Sequence, residues 1–265
     1  MKQNNPNSTI QTILKNIKNF DFTDKKAIIL FSLPVILITI ILFFNFLGNY
    51  NTRSNIIVIT GSAQKDIVSD LIVWSGNFSA TSMDLKDAYS KLHSDMNKIK
   101  AFLEKNGVLE SEIVFESIFM NRQFKNIWQN NFQNMTSVFD GYSLSQNVRI
   151  ESNEVDKIER ISREITELIE QGVELSSFPP QYFYTNIAEL RKVMVGLATA
   201  DAYSRAQQVA KNSKARLGKL KNARVGVFQI TGKNSAESFS SGGTFNTHSK
   251  YKTISINVRL EYGIR

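Results

Sequence analysis

The sequence predicts an α+β fold. An N-terminal transmembrane helix precedes a domain of two β-α-β halves, a long Ala-rich third helix and a C-terminal antiparallel strand pair. Three observations carry this reading. The 26 residues between Lys26 and Arg53 hold no formal charge. Downstream, segments with an apolar residue at every third or fourth position follow segments in which apolar and polar residues alternate. Two of the helical segments end in the same dipeptide, Gly107-Val108 and Gly172-Val173, with the glycines 65 residues apart.

Composition narrows the function classes. The chain has 265 residues, Lys+Arg 32 against Asp+Glu 24, and a net charge of +8. Its 42% hydrophobic and 21% charged content suits a globular domain, and excludes a wholly disordered chain or a polytopic membrane protein. It has no cysteine, so disulfides, thiolate zinc sites, iron–sulfur clusters and a cysteine nucleophile are excluded together. Only His93 and His248 could supply imidazole chemistry.

The first element is the apolar run Ala27 to Phe44, AIILFSLPVILITIILFF. Eighteen helical residues span ~27 Å at ~1.5 Å each, close to a ~30 Å bilayer core. Ala27, Leu30, Pro34, Ile38, Leu42 and Phe44 mark the anchor. A helix packed on one side of a soluble core would carry a polar face, and this run has none. A cleaved signal peptide would have a shorter leader and a small-x-small site after the run. Lys2, Lys15, Lys18, Lys25 and Lys26 precede it, and Arg53 follows closely. The positive-inside bias therefore predicts a cytoplasmic segment over 1–26, a signal anchor over 27–48 and an extracytoplasmic domain over 53–265.

Within the domain, Leu85, Leu92, Met96, Ile99 and Leu103 form one helical face, with Thr81 or Ser82 as cap and Gly107 as stop. Val155, Ile158, Ile161, Ile165 and Leu168 form a second, with Asn153 as cap and Gly172 as stop. The third helix reads from Ile187 to Leu217, opened by a capping box of Asn186 and Glu189 and closed by Gly218. Ala198, Ala202, Ala206 and Ala210 recur on it at four-residue steps. Such a stripe admits a close neighbour, whether a sheet, another helix or a second subunit.

Alternation predicts strands over Ile56–Ala63, Val68–Ala80, Glu112–Phe124, Tyr142–Ile150, Glu174–Tyr184, Leu220–Thr231 and Ile254–Ile264. Pro179-Pro180 must break or edge one of them. Gly232 to Lys250 reads as a Ser/Gly loop. The aromatic, Asn-rich segment Phe124–Phe139 either folds onto its own core or forms a subunit contact.

At this point a family resemblance enters. Ile57-Val58-Ile59-Thr60-Gly61-Ser62-Ala63, then Asp70, resembles the opening of SIMPL-domain (YggE-like) proteins, with Ser69 where a proline is usual. Gly141-Tyr142-Ser143-Leu144-Ser145 is similar to that family's Gly-Tyr-x-Ala-Ser strand. Asp201-Ala202, Arg205-Ala206, Ala210 and Leu217-Gly218-Lys219 resemble its Ala-rich helix and Gly-Lys ending, and Ile254 to Tyr262 its last strand. The resemblance implies an envelope protein without established catalytic residues, linked to oxidative stress defence, and in some members ring-forming. The usual member has a cleaved signal, and this chain departs from it in being anchored.

No catalytic constellation or cofactor site emerges. His93 and His248 lack partners at ligand spacing. Glu164, Glu167, Glu170 and Glu174 read as a charged outer face. Gly226 to Lys233 misses the phosphate-loop spacing and opens no helix. Eight basic residues and no acidic one fall between Ala202 and Ala236. Seven of them, Arg205, Lys211, Lys214, Arg216, Lys219, Lys221 and Arg224, form either a patch for an anionic partner or a helix end favoured by its dipole. The expected partners are the lipid bilayer and further copies of the chain, and not nucleic acid.

Overall fold

The computed structural model describes the backbone of residues 25–51, 55–129 and 134–264, and side chains over 32–46, 55–127 and 135–264. The apolar run lies in helix α1 (Lys25–Asn51), which contains Pro34. Among the described residues no helix is long and apolar enough to cross a membrane; the described side chains of α1 cover residues 32–46 only. Two antiparallel sheets and three further helices follow.

The six-stranded sheet has the order β3-β5-β2-β6, from β2 (Leu71–Ser82), β3 (Ile113–Phe115), β5 (Asn134–Ser152) and β6 (Glu174–Ser177). Strand β4 (Phe119–Gln129) pairs with the first part of β5, and β7 (Gln181–Phe183) pairs with β2. Each neighbouring pair is antiparallel, so β2 runs parallel to β3 and β5 parallel to β6, with one strand between in each case. Helix α2 (Leu85–Lys105) joins the first couple and α3 (Val155–Glu164) the second. The result is a β-α-β-β-α-β unit of two split β-α-β halves. Trp74, Phe78, Leu92, Ile99, Ile150 and Ile158 are fully buried between this sheet and its two helices.

The repeated Gly-Val dipeptides are the same device used twice. Gly107 and Gly172 have φ of 79° and 76°, a conformation that suits glycine. Val108 donates back to the Leu103 carbonyl at 3.0 Å, and Val173 to that of Leu168 at 3.1 Å. Each helix then caps the other. Lys157 of α3 donates to the Gly107 carbonyl at 2.8 Å, and Lys91 of α2 to that of Gly172 at 2.7 Å. Lys91 is held in turn by the buried carboxylate of Asp95.

The second sheet has β10 (Tyr251–Ile264) at its centre, between β1 (Ile56–Val68) and β8 (Leu217–Val225), with β9 (Gln229–Gly232) further along. The C-terminal strand pair of the sequence reading is therefore one side of a larger sheet. Strand β10 pairs with all 13 residues of β1. Helix α4 (Ile187–Asn212) covers one face of this sheet and buries Ile254, Ile256, Val258 and Leu260.

Several boundaries differ from the sequence reading, each for a local reason. The cap of α2 is Asp84, whose Oδ1 accepts from the amides of Lys86 and Asp87, not Thr81 or Ser82. Asn153 does not cap α3; its amide donates to the Asp70 carbonyl at 2.8 Å. Asn186 makes no side-chain cap bond. Helix α4 ends at Asn212, not Leu217, because Lys214 takes φ 55° and turns the chain. Gly218 lies inside β8, where a Cβ would meet the Gly263 carbonyl oxygen at 2.7 Å. Ser69-Asp70 separates β1 from β2, and Pro179-Pro180 separates β6 from β7. The expected strand Leu220–Thr231 divides into β8 and β9.

The two sheets are clasped at that Ser69-Asp70 turn. Asp70 accepts from the Thr185 amide at 2.7 Å and its hydroxyl at 2.8 Å, just before α4. The Ser69 amide donates to the Lys250 carbonyl at 2.9 Å. The Lys250 ammonium reaches α3, pairing with Asp156 and with Glu159 at 3.0 Å. Burial alone would raise the Glu159 carboxyl, but hydrogen bonds from Lys250 and Arg163 outweigh it and hold it below its ordinary value. The Asp156 hydrogen bond raises the Lys250 ammonium above its ordinary value.

A lowered carboxyl stabilises the fold at neutral pH and loses that contribution as pH falls through its folded value. A raised ammonium keeps its contribution until pH climbs past the ordinary lysine range. We predict that Lys250→Met lowers the melting temperature at neutral pH and narrows its gap from the parent in acid. Melting curves from neutral to acidic pH check this, and a gap constant across that range would refute it.

Candidate functional site

The motifs that carry the family resemblance fall at close backbone contacts and at the clasp. On β1, Gly61 faces α4 with no side chain between them. A Cβ there would lie 2.3 Å from the Ala198 carbonyl oxygen and 2.4 Å from the Ala202 amide nitrogen. Ala198, Ala202, Ala206 and Ala210 are all buried in this seam or its continuation. The small-residue stripe thus seats the helix on its own sheet. Next to the seam, Asp201 accepts from the Ser62 amide at 2.9 Å, on the side of β1 away from β10. Arg205 holds the same carboxylate at 2.9 Å. The Ser62 hydrogen bond, with Arg205 second, keeps the Asp201 carboxyl below its ordinary value. Gly141 sits at φ 113°, where a Cβ would meet the Ser82 carbonyl oxygen at 2.7 Å.

A family model described as SIMPL, a protein of unknown function (DUF541), matches residues 57–262. The chain belongs to the SIMPL family. No curated protein matches it.

Among the described residues, three exposed surfaces of the SIMPL domain bear on function. The first is an arm. Strands β4 and β5 continue past the body of the sheet as a two-stranded ribbon from Phe124↔Phe139 to Gln129↔Asn134. Among the described residues of the segment Phe124–Phe139, no side chain is buried in the core. Phe119, Met120, Phe124, Ile127, Met135 and Val138, on the arm and at its root, are 38–69% exposed. Phe124, Phe139 and Tyr142 form an edge-to-face row, with centroids 5.9 and 5.1 Å apart. The side chains of Trp128 and Phe132, which the sequence also singles out, lie outside the described residues.

The second surface is basic. Lys211, Lys214, Arg216, Lys219, Lys221 and Arg224 are exposed, and none forms an ion pair among the described residues. Arg205 leaves the predicted set because Asp201 neutralises it.

The third is a cleft of about 560 Å³ on the uncovered face of the six-stranded sheet. Val73, Phe178 and Phe183 give it apolar walls, while Asn147, Arg149 and His248 give it polar ones. No property of the sequence pointed to it, because its lining comes from β2, β5 and the loops around β7 and β10. His93 is elsewhere, exposed on α2 and stacked on Tyr89 with centroids 6.3 Å apart. Among the described residues no group of three or more His, Asp or Glu could hold a metal ion. Glu164 pairs with Arg160 at 2.7 Å, and Glu174 accepts from Ser79 at 3.1 Å. Lys252 is buried, and burial lowers its ammonium to about 8. It donates to the Asn246 carbonyl at 2.5 Å and ties down the Ser/Gly loop.

Of the predicted anchor residues, Pro34, Ile38, Leu42 and Phe44 are exposed on α1, and the side chains of Ala27 and Leu30 lie outside the described residues.

Overpacking a tight seam costs ~1–3 kcal/mol, and more where the clash is with backbone. Gly61→Ala should therefore destabilise the domain by at least about 2 kcal/mol, whereas an Ala-for-Gly change at Gly196, which faces open space, should stabilise α4 by ~0.5–1 kcal/mol. Chemical denaturation of the two variants checks the contrast; equal midpoints would refute the account of the seam.

Proposed function

We propose that this SIMPL protein is a membrane-anchored, non-enzymatic envelope protein whose domain self-assembles into a homo-oligomer, as a ring or cage. The arm is the observation that carries the assembly. An isolated two-stranded ribbon is marginal in water, and this one exposes apolar side chains on both strands. Covering it with another subunit removes that area from water at ~25 cal/mol per Å².

Helix α1 supports the anchor. Every described side chain from Leu33 to Phe46 is exposed, and no polar face interrupts them. The Thr39 hydroxyl donates back to the Ile36 carbonyl at 2.8 Å, which satisfies it without water, as a lipid environment requires.

The mass of the full chain in detergent tests assembly. The parent should run as a multiple of the 30.1 kDa chain. Phe124→Ser combined with Met135→Ser should shift it towards the monomer with little change in melting temperature, since both side chains are exposed. A parent that is monomeric would overturn the proposal.

The cleft supports a second reading, a ligand-binding module of the envelope. Its apolar walls, beside His248, Glu116 and an Arg149 already paired with Glu151 at 3.0 Å, suit a small aromatic ligand with polar substituents. A saturable rise in melting temperature with an aromatic carboxylate, lost in Arg149→Ala, would favour that reading; no shift with such probes would remove it.

A further inference from the structure

We infer that the basic end of the four-stranded sheet is a docking surface for anionic lipid head groups, on the same membrane that α1 enters. The inference rests on the anchor reading above and adds the part of the domain that faces the lipid. Its basis is a juxtaposition that the β10 register creates. The chain leaves α1 at Asn51 and begins β1 at Ile56. Five Cα steps of ~3.8 Å allow at most ~19 Å between those points. Ile56 pairs with Gly263 on β10, and Ile264, the next residue, pairs with Leu217, the first residue of β8. Strands lie ~4.8 Å apart, so β8 starts ~10 Å from the point where the chain arrives from α1.

Five cations gather at that start. Lys211 lies in the last turn of α4, Lys214 and Arg216 lie in the connection, and Lys219 and Lys221 lie in the first half of strand β8. All five are exposed and unpaired among the described residues. No acidic residue occurs between Ala202 and Ala236 to offset them. Arg224 stands further up the strand, beside Arg259, and belongs less to this end.

A helix dipole accounts for Lys211, whose charge sits in the final turn, but its influence fades within that turn. It gives no reason for Lys219 and Lys221 on a strand. A phosphate-rich plane within a Debye length of ~8–10 Å does. Nucleic acid or an acidic protein could meet the same charge, but neither explains why the cations gather at the end of the sheet tethered to α1.

The test uses the absence of native cysteine. Ser213, exposed between Lys211 and Lys214, is changed to cysteine in the full chain and labelled with a short fluorophore. The protein is reconstituted into vesicles that carry a quencher on the lipid head groups. Quenching should be at least about twofold stronger with phosphatidylglycerol present than in phosphatidylcholine alone, and should fall towards the latter at high salt. Lys214→Glu, Lys219→Glu and Lys221→Glu together should abolish the lipid dependence while leaving the melting temperature within a few degrees of the parent. Flotation with neutral vesicles separates the two readings. A chain that floats but quenches equally in both lipids leaves the anchor standing and overturns this inference. A chain that does not float with neutral vesicles after reconstitution removes both.

Discussion

The four-stranded half of the domain depends on a side chain that is missing. With only hydrogen at position 61, α4 lies with its Ala198 carbonyl and Ala202 amide almost against β1. Alanines at four-residue steps continue that seam, because residues i and i+4 share a helix face. The short helix-to-sheet distance has two consequences. It brings Asp201 within 2.9 Å of the Ser62 amide. It also holds α4 over β1 up to the turn at Lys214, after which β8 begins opposite Ile264. A bulkier residue at 61 would lift the helix, stretch the Asp201 bond and move the basic end with it.

The other half is organised by reciprocity. Two helices with the same glycine-terminated ending each lend a lysine to the other's last carbonyls. Neither contact is strong alone, since exposed ammonium groups remain partly hydrated. Together they set the spacing of α2 and α3 over one core, and Asp95 fixes Lys91 from the buried side. The clasp at Ser69, Asp70 and Lys250 then joins this unit to the second sheet through hydrogen bonds from four different segments.

Much of this was legible in the sequence because it is local. Periodicity located α2, α3 and α4, and the Gly-Val repeat located the end of α2 and of the 3-10 turns, Ile165–Gln171, that follow α3. Family resemblance marked Gly61, Asp70 and Asp201, though not what they touch, since their partners lie 115 to 139 residues away for the two carboxylates. The cap of α2 was misassigned because Thr81, Ser82 and Asp84 are all competent, and only backbone geometry selects Asp84, at φ −105° and ψ 133°. Gly218 looked like a helix stop because an apolar helical pattern runs up to it. Its role is set instead by a strand that arrives 45 residues later, in Gly263. The arm lacked a strand signature because asparagines break its alternation, and the cleft had none because five separate segments build it.

The edges of the four-stranded sheet bear on how such a domain could assemble. An open strand edge invites another strand, and natural sheets blunt such edges with charge or cover. On β1, Asp201 occupies an edge amide in the middle of the strand. On β8, Lys219, Lys221 and Arg224 crowd the opposite edge with like charge. Joining copies edge to edge would displace the first and bury the second. Burying unpaired cations costs far more than a few backbone hydrogen bonds return. The arm is less guarded: Phe124, Ile127, Met135 and Val138 are exposed among polar neighbours, and its ion pair among the described residues, Lys125 with Asp140 at 2.6 Å, lies at the root. The same domain thus blunts the edges of one sheet while a partly apolar ribbon of the other stays exposed, and this contrast is why the proposed assembly is assigned to the ribbon.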